Sequence, residues 1–254
     1  MGFFNNLFGN SKTETPKEEK RDLTIEQLFK DTSQDLEKHV VNLSKEKGVN
    51  LNNHIAQFFS VFDRSASMYI PFDSGQMQRV STKFFTIGVK FDNDKEMQVL
   101  VFNAHTNQVE SMTLENYTDF VQSQIINKGF GPSGTTGYVP AIDAIIDMYA
   151  NSKCPCPYPA FGTFLTDGAA DESSEKLDAA FKRLYETHKI FLACIGFRTY
   201  STRDTDFDYL KELNKRFPNI NFMEVDDFER MGNDQLFSGI LKGYPEWLRR
   251  NNYI

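Results

Sequence analysis

Short apolar runs alternate along this chain with stretches in which apolar positions recur every three or four residues. The runs at 58–62, 97–102, 161–166, 190–195 and 221–225 predict buried strands. Helical periodicity at 76–89, 116–124, 139–149, 174–187, 207–217 and 234–241 predicts helices between and after them. That alternation predicts an α/β fold, a doubly wound, mostly parallel sheet flanked by helices on both faces. Upstream, Thr24 and Gln27 stand at capping-box spacing and predict a helix over 24–36. Apolar alternation over 40–51, broken by Gly48, predicts a hairpin or an edge strand.

At the start of the chain Phe3, Phe4, Leu7 and Phe8 share one face at helical spacing. Such a face suits a membrane, a partner protein or the chain's own domain. Asn6 stands where a myristoylation signal needs Ser or Thr, so lipidation is not expected. Residues 10–21 are polar and charged around Pro16, as in a flexible linker. The expected organisation is a tail at 1–21 with a short amphipathic start, then one domain at 22–254 carrying an N-terminal helix and hairpin extension.

Composition narrows the function classes. With 254 residues, 40% of them hydrophobic and 24 of them Phe, the chain builds a sizeable core. A formal charge of −7 argues against nonspecific nucleic-acid binding. No apolar run reaches membrane-spanning length, and the start lacks the basic region of a signal peptide. Three cysteines (Cys154, Cys156, Cys194) fit a reducing cytoplasm better than a disulfide framework. Cys154-Pro155-Cys156 is too sparse for a zinc site and reads as a surface loop.

The chemistry concentrates at predicted strand ends. Asp63-Arg64-Ser65-Ala66-Ser67 follows the first buried strand directly. A carboxylate and two hydroxyls at alternate positions beyond a strand end converge on one point, and three hard oxygens suit a hard divalent cation. The same motif alone also fits a helix N-cap or an Asx turn. Two later segments tip the balance: Gly134-Thr135-Thr136-Gly137-Tyr138-Val139-Pro140 enters a helix, and Phe161-Gly162-Thr163-Phe164-Leu165-Thr166-Asp167-Gly168 is a strand ending in an aspartate. Together they present Asp, Ser, Ser, Thr and Asp in an order that fits one oxygen site.

In these segments the chain resembles the von Willebrand factor type A (vWA) domain with its metal-ion-dependent adhesion site, the MIDAS. By that resemblance the ligands are Asp63, Ser65, Ser67, Thr136 and Asp167, with Thr136 preferred over Thr135 because Gly-Thr-Thr-Gly-Tyr-x-Pro is similar to the family's Gly-Gly-Thr-x-Tyr-x-Pro. Further stretches resemble the vWA domains of bacterial tellurium-resistance (Ter) stress proteins, the TerF-like group: Met68-Tyr69, 75–80, 89–92, 114–117, 165–171 and 244–248. Ala66 and Thr135 replace the commoner glycines, from which a tighter loop is expected rather than a lost site.

The resemblance implies a cytoplasmic interaction module, peripheral to the membrane at most through its partners, rather than an enzyme. A divalent cation (Mg2+, or Mn2+ or Ca2+) keeps an open position because the hydroxyls are neutral and the Asp167 position often binds through water. A partner protein's Asp or Glu then completes the sphere. It also implies a role in tellurite and stress resistance among other Ter proteins, with no nucleic acid and no direct membrane span. The alternative is a magnesium-dependent hydrolase or nucleotide-binding protein using the same strand-end aspartates, for which only Asp171 or Glu172 offers a base.

Other motifs carry less. Gly129-Phe130-Gly131-Pro132-Ser133-Gly134 matches G-x-G-x-x-G but follows a helical pattern and contains proline, so a flexible loop that positions Thr136 is expected. No P-loop, H-E-x-x-H or Ser/His/Asp arrangement occurs, and His39, His54, His105 and His188 are scattered. Asp92-Asn93-Asp94 reads as a solvated turn. Asp171 and Glu172 suit either hydrogen bonding behind the site or partner contact, or simply an acidic helix start. Arg64 either orients a partner carboxylate or pairs with a nearby acid.

Overall fold

The computed structural model describes residues 23–151 and 156–254. The expectations for 1–21 and for Cys154 lie outside those residues. Strands β1 (Gln57–Asp63), β2 (Gln98–Phe102), β4 (Ala160–Thr166), β5 (Ile190–Phe197) and β6 (Ile220–Val225) run parallel, and β3 (Thr106–Gln108) pairs antiparallel with β2. The sheet order is β3-β2-β1-β4-β5-β6, so the fold is the expected mostly parallel, doubly wound one. All of β4 and β5, and all of β1 beyond Gln57, is buried. Covered on both faces, these strands have no solvent side to alternate toward, and their sequences are apolar runs.

One face of the sheet is covered by α1 (Ile25–Lys47), α3 (Gln76–Phe91), α7 (Asn233–Ile240) and α8 (Tyr244–Arg250), which pack around Phe58, Phe62, Phe161 and Phe191. The other is covered by α4 (Tyr138–Tyr149), α5 (Ser174–Glu186) and α6 (Asp208–Arg216) around Phe59, Val61, Phe164 and Leu192. Gly162 pairs with Phe59 across β1 and β4, and a Cβ there would stand 2.1 Å from the Phe59 ring. Glycine lets that ring cross the neighbouring strand and stack on Tyr149 at 4.6 Å.

Two local expectations are corrected. Residues 40–51 form no hairpin: α1 continues to Lys47, burying Thr32, Leu36, Val40 and Ser44 every fourth position. Gly48, at φ 61°, closes the helix by donating its N–H to Lys45 and Ser44 carbonyls, so the interruption in the pattern is a helix end. The predicted helix at 116–124 is instead a turn followed by a π-helix over Val121–Ile126. Gln78 explains it: its Nε2 donates to Tyr117 O (2.6 Å) and its Oε1 accepts from Val121 N (2.9 Å). The side chain thereby takes both groups that an α-helical turn would join to each other.

Beyond β1 the chain goes to β2 on one side, and beyond α4 it goes to β4 on the other. The strand order thus reverses between β1 and β4, where loops splay apart and leave a crevice at the carboxyl ends. Asp63 is the last residue of β1 and Asp167 the first beyond β4.

Candidate metal centre

Three loops meet in that crevice. The first leaves β1 through Asp63, whose Oδ1 accepts the Ser65 N–H at 2.7 Å, an Asx turn that folds the chain back at once. A single 3-10 turn, Ala66–Met68, then brings Ser67 within reach of Ser65, with the hydroxyls 3.1 Å apart. The short helix α2 (Tyr69–Asp73) follows. The second loop leaves β4 at Asp167, whose Oδ1 accepts the Ser67 hydroxyl at 2.8 Å. The third carries the buried Thr136, whose Oγ1 lies 3.9 Å from the position a Cβ on Gly168 would occupy.

Four of the five expected oxygen groups are therefore linked directly: Asp63 to Ser65 through the turn, Ser65 to Ser67, and Ser67 to Asp167. Thr136 stands beside the Asp167–Gly168 corner without a hydroxyl bond to any of them among the described residues. Its loop is fixed from below: Asp171 Oδ2 accepts Thr136 N, and Asp171 N donates to Thr136 O, each at 2.8 Å. Glu172 accepts Tyr138 N (3.1 Å) and Val139 N (2.9 Å), satisfying the first donors of α4. The two acids thus brace the threonine loop, while α5 starts only at Ser174.

Arg64 pairs with no acid among the described residues. Its guanidinium donates to Gly131 O, Ser133 Oγ and Asn107 Oδ1, each at 3.3 Å, and lies 5.8 Å from the Phe130 ring centroid. It clamps the 129–134 loop, the G-x-G-x-x-G segment that leads to Thr136, so the loop is tied down rather than flexible as expected. Ala66 N adds a bond to Gly134 O at 3.2 Å.

Three supporting groups escaped the sequence reading. Thr166 Oγ1 donates to Asp63 Oδ2 at 2.6 Å, and Thr199 and Thr202 hydroxyls donate to Asp167 Oδ2 at 3.1 and 3.3 Å. Thr166 is adjacent to a singled-out residue, so its strand-end position was a usable signal. Thr199 and Thr202 lie beyond β5, and no local pattern links them to Asp167.

Electrostatically the crevice is dominated by two buried carboxyls. Burial pushes the Asp63 carboxyl up to about 6, with the nearby Asp167 charge adding to the rise against the hydrogen bonds from Thr166 and Ser65. Burial also raises Asp167, again opposed by its three hydroxyl donors. Among the described residues no Lys or Arg pairs with either acid, and the one adjacent guanidinium is turned to neutral acceptors. Two desolvated acids with hydroxyl oxygens between them fit a divalent cation that supplies the missing positive charge. No group of three His, Cys, Asp or Glu side chains forms a metal cluster among the described residues, so hydroxyls must supply part of any sphere here.

Comparison with known proteins places this geometry. A family model described as vWA-TerF-like, the vWA found in the TerF C terminus, matches residues 55–253. The chain belongs to the vWA-TerF-like family. The uncharacterized protein YcbR of Bacillus subtilis (strain 168) is 23% identical over 220 residues, covering 85% of this chain and 86% of YcbR. A von Willebrand factor type A structure from Catenulispora acidiphila superposes with a TM-score of 0.50 at 12% identity, over 78% of this chain and 42% of that one. Proximal thread matrix protein 1 from the mussel byssus, solved with a zinc-occupied MIDAS motif, gives a TM-score of 0.51 at 14% identity, over 75% of this chain and 48% of that one. This chain spans less than half the length of either solved chain, and at such identity the likeness is one of fold. Domains of the vWA type mediate protein interactions and can hold a divalent cation at a MIDAS. No helix among the described residues is long and apolar enough to cross a membrane.

Proposed function

We propose that this vWA-TerF-like protein is a metal-ion-dependent interaction module. Asp63, Ser65, Ser67, Thr136 and Asp167 would hold one divalent cation, Mg2+ or Mn2+ ahead of Ca2+, and a partner's Asp or Glu would complete the sphere. The observation that carries this reading is the pair of buried, uncompensated acids at the point where the strand order reverses, joined by a chain of serine hydroxyls. A bound cation supplies the charge and the open position. The chain's own residues fix the oxygens, and their braces lie one layer out: Thr166 on Asp63, Thr199 and Thr202 on Asp167, and Asp171 on the Thr136 backbone.

Binding is favoured over hydrolysis by the use of Asp171 and Glu172. Both hold backbone N–H groups of the threonine loop, which leaves neither as a free base. Family membership supports the biological part of the proposal: a cytoplasmic role in tellurite and stress resistance, in company with other Ter proteins.

Calorimetric titration of the EDTA-stripped protein tests the site. One Mg2+ or Mn2+ should bind to the parent, none to Asp63→Ala, and binding to Thr136→Ala should weaken about tenfold or more, by the loss of one oxygen ligand. Equal affinity in all three proteins would show that the ligands lie elsewhere.

A further inference from the structure

Large exposed hydrophobic side chains stand on two of the segments that supply or hold the site's oxygens. Tyr69 (60% exposed) and Ile70 (49%) follow Ser67 closely in one, and Tyr200 (75%) follows Thr199 in the other. The turn that carries Tyr200 is held firmly. Arg198 Nη1 donates to Arg203 O (2.8 Å) and Thr205 O (2.7 Å), while the same guanidinium meets Glu224 (3.1 Å) and Asp226 (3.4 Å). From the other side Thr199 and Thr202 donate to Asp167. The groups that tie the turn down therefore point inward, and Tyr200 is left in solvent.

Arg203 lies over that ring, its guanidinium carbon 4.7 Å from the Tyr200 centroid. Arg203 forms no ion pair among the described residues. Asp204 and Asp206 both follow it in sequence, and Asp206 accepts the N–H of Asp208 at 2.6 Å. A chain with net charge −7 thus shows an unpaired guanidinium, stacked on an aromatic ring, on the very turn that grips a proposed cation ligand.

We propose that the Tyr200–Arg203 stack is a second docking element, taking a second carboxylate of an acidic protein segment whose first carboxylate goes to the cation. The inference rests on the cation-site reading above. Charge complementarity selects the occupant: one edge of an acidic protein offers two positive centres, the bound cation and Arg203, with Tyr69 and Ile70 as apolar surface nearby. A segment with two acidic residues around an apolar one matches that edge. Arginine and tyrosine are the side chains that concentrate binding energy at interfaces. A turn already fixed by Arg198, Thr199 and Thr202 loses little freedom on binding. Because Thr199 and Thr202 hold Asp167, the stack and the cation ligand are also fixed relative to each other.

The test pans a display library of random linear peptides on the full chain in Mg2+, then measures the best labelled peptide by fluorescence anisotropy. Enriched peptides should carry two acidic residues flanking an apolar one. Arg203→Ala should weaken binding roughly tenfold without lowering the melting temperature. Changing the peptide's second acid to its amide should cost the same factor in the parent and nothing further in Arg203→Ala, the signature of a direct pair. Peptides with a single acid that bind Arg203→Ala as tightly as the parent would overturn the stack and leave the cation site standing. Binding that survives EDTA and Asp63→Ala would instead sink the cation-site reading, and no enrichment at all would sink both. A dimer dispersed by Tyr200→Ser would show the occupant to be a second copy, against the proposal.

Discussion

Asp63 and Asp92 stand at opposite ends of β1, and burial pushes both carboxyls up to about 6. At the amino end Asp92, just beyond α3, accepts the Phe58 N–H at 2.7 Å and ties the helix end to the start of the strand. Of the solvated turn expected at 92–94, Asn93 and Asp94 are exposed, but the Asp92 carboxyl is half-buried and acts as a clasp on the backbone. At the carboxyl end Asp63 faces a second buried acid and side-chain hydroxyls. The difference teaches that a buried carboxyl with a raised pKa marks no site by itself. Asp92 also has an acid beside it, Asp94, but that one is exposed; what distinguishes Asp63 is a second buried acid together with hydroxyls that rotate to present their lone pairs.

The sharpest way to break that contrast is to remove each acid in turn. Asp63→Ala should abolish cation binding, whereas Asp92→Ala should leave the dissociation constant within about twofold of the parent, since it holds only structure. A loss shared equally by both variants in calorimetry would erase the distinction between the ends of β1.

The next effect belongs to the amino end alone. His54 is buried there, its Nε2 2.8 Å from Tyr244 Oη, and burial lowers its pKa from 6.5 to about 4. The unfolded chain takes up this proton first, so the stability held above pH 6.5 falls as pH drops toward 4. Relative to His54→Gln, the parent should lose about 3 kcal/mol across that window in urea melts, from the conversion of a pKa shift into free energy. A constant difference between the two proteins over that range would show that His54 takes up its proton equally in the folded and unfolded chain, with no lowering by burial. Smaller again, Asp92→Ala should cost about 2 kcal/mol at neutral pH, because it orphans the buried Phe58 N–H. A variant as stable as the parent would mean that water or a neighbour replaces the clasp.

Legibility in the sequence followed the range of the interactions. The five parallel strands and most helices were readable because their apolar runs and periods are local, and burial on both faces makes the strands continuous. Three-residue β3, five-residue α2 and seven-residue α8 carry too few positions for a period to emerge. In α1 the fourth-residue spacing of Leu36, Val40 and Ser44 was masked by the adjacent Val40 and Val41, which imitate a strand. At the crevice, Asp63 and Asp167 were visible as acids at the ends of apolar runs. The braces from Thr199 and Thr202 were not, since each joins residues brought together only by the crossovers of the sheet, whereas hydrogen bonding by Asp171 was one of the roles its position allowed. The π-helix at Val121–Ile126 likewise depends on Gln78, which is 43 residues away in sequence from Val121.

Anomalous scattering from crystals grown with Mn2+ tests the central claim most directly. The expected result is one peak at the carboxyl ends of β1 and β4, contacted by Ser65 and Ser67 hydroxyls and flanked by Asp63, Thr136 and Asp167. A peak at Asp92–Asp94 instead, at the other end of the same strand, or no peak at saturating Mn2+, would contradict it.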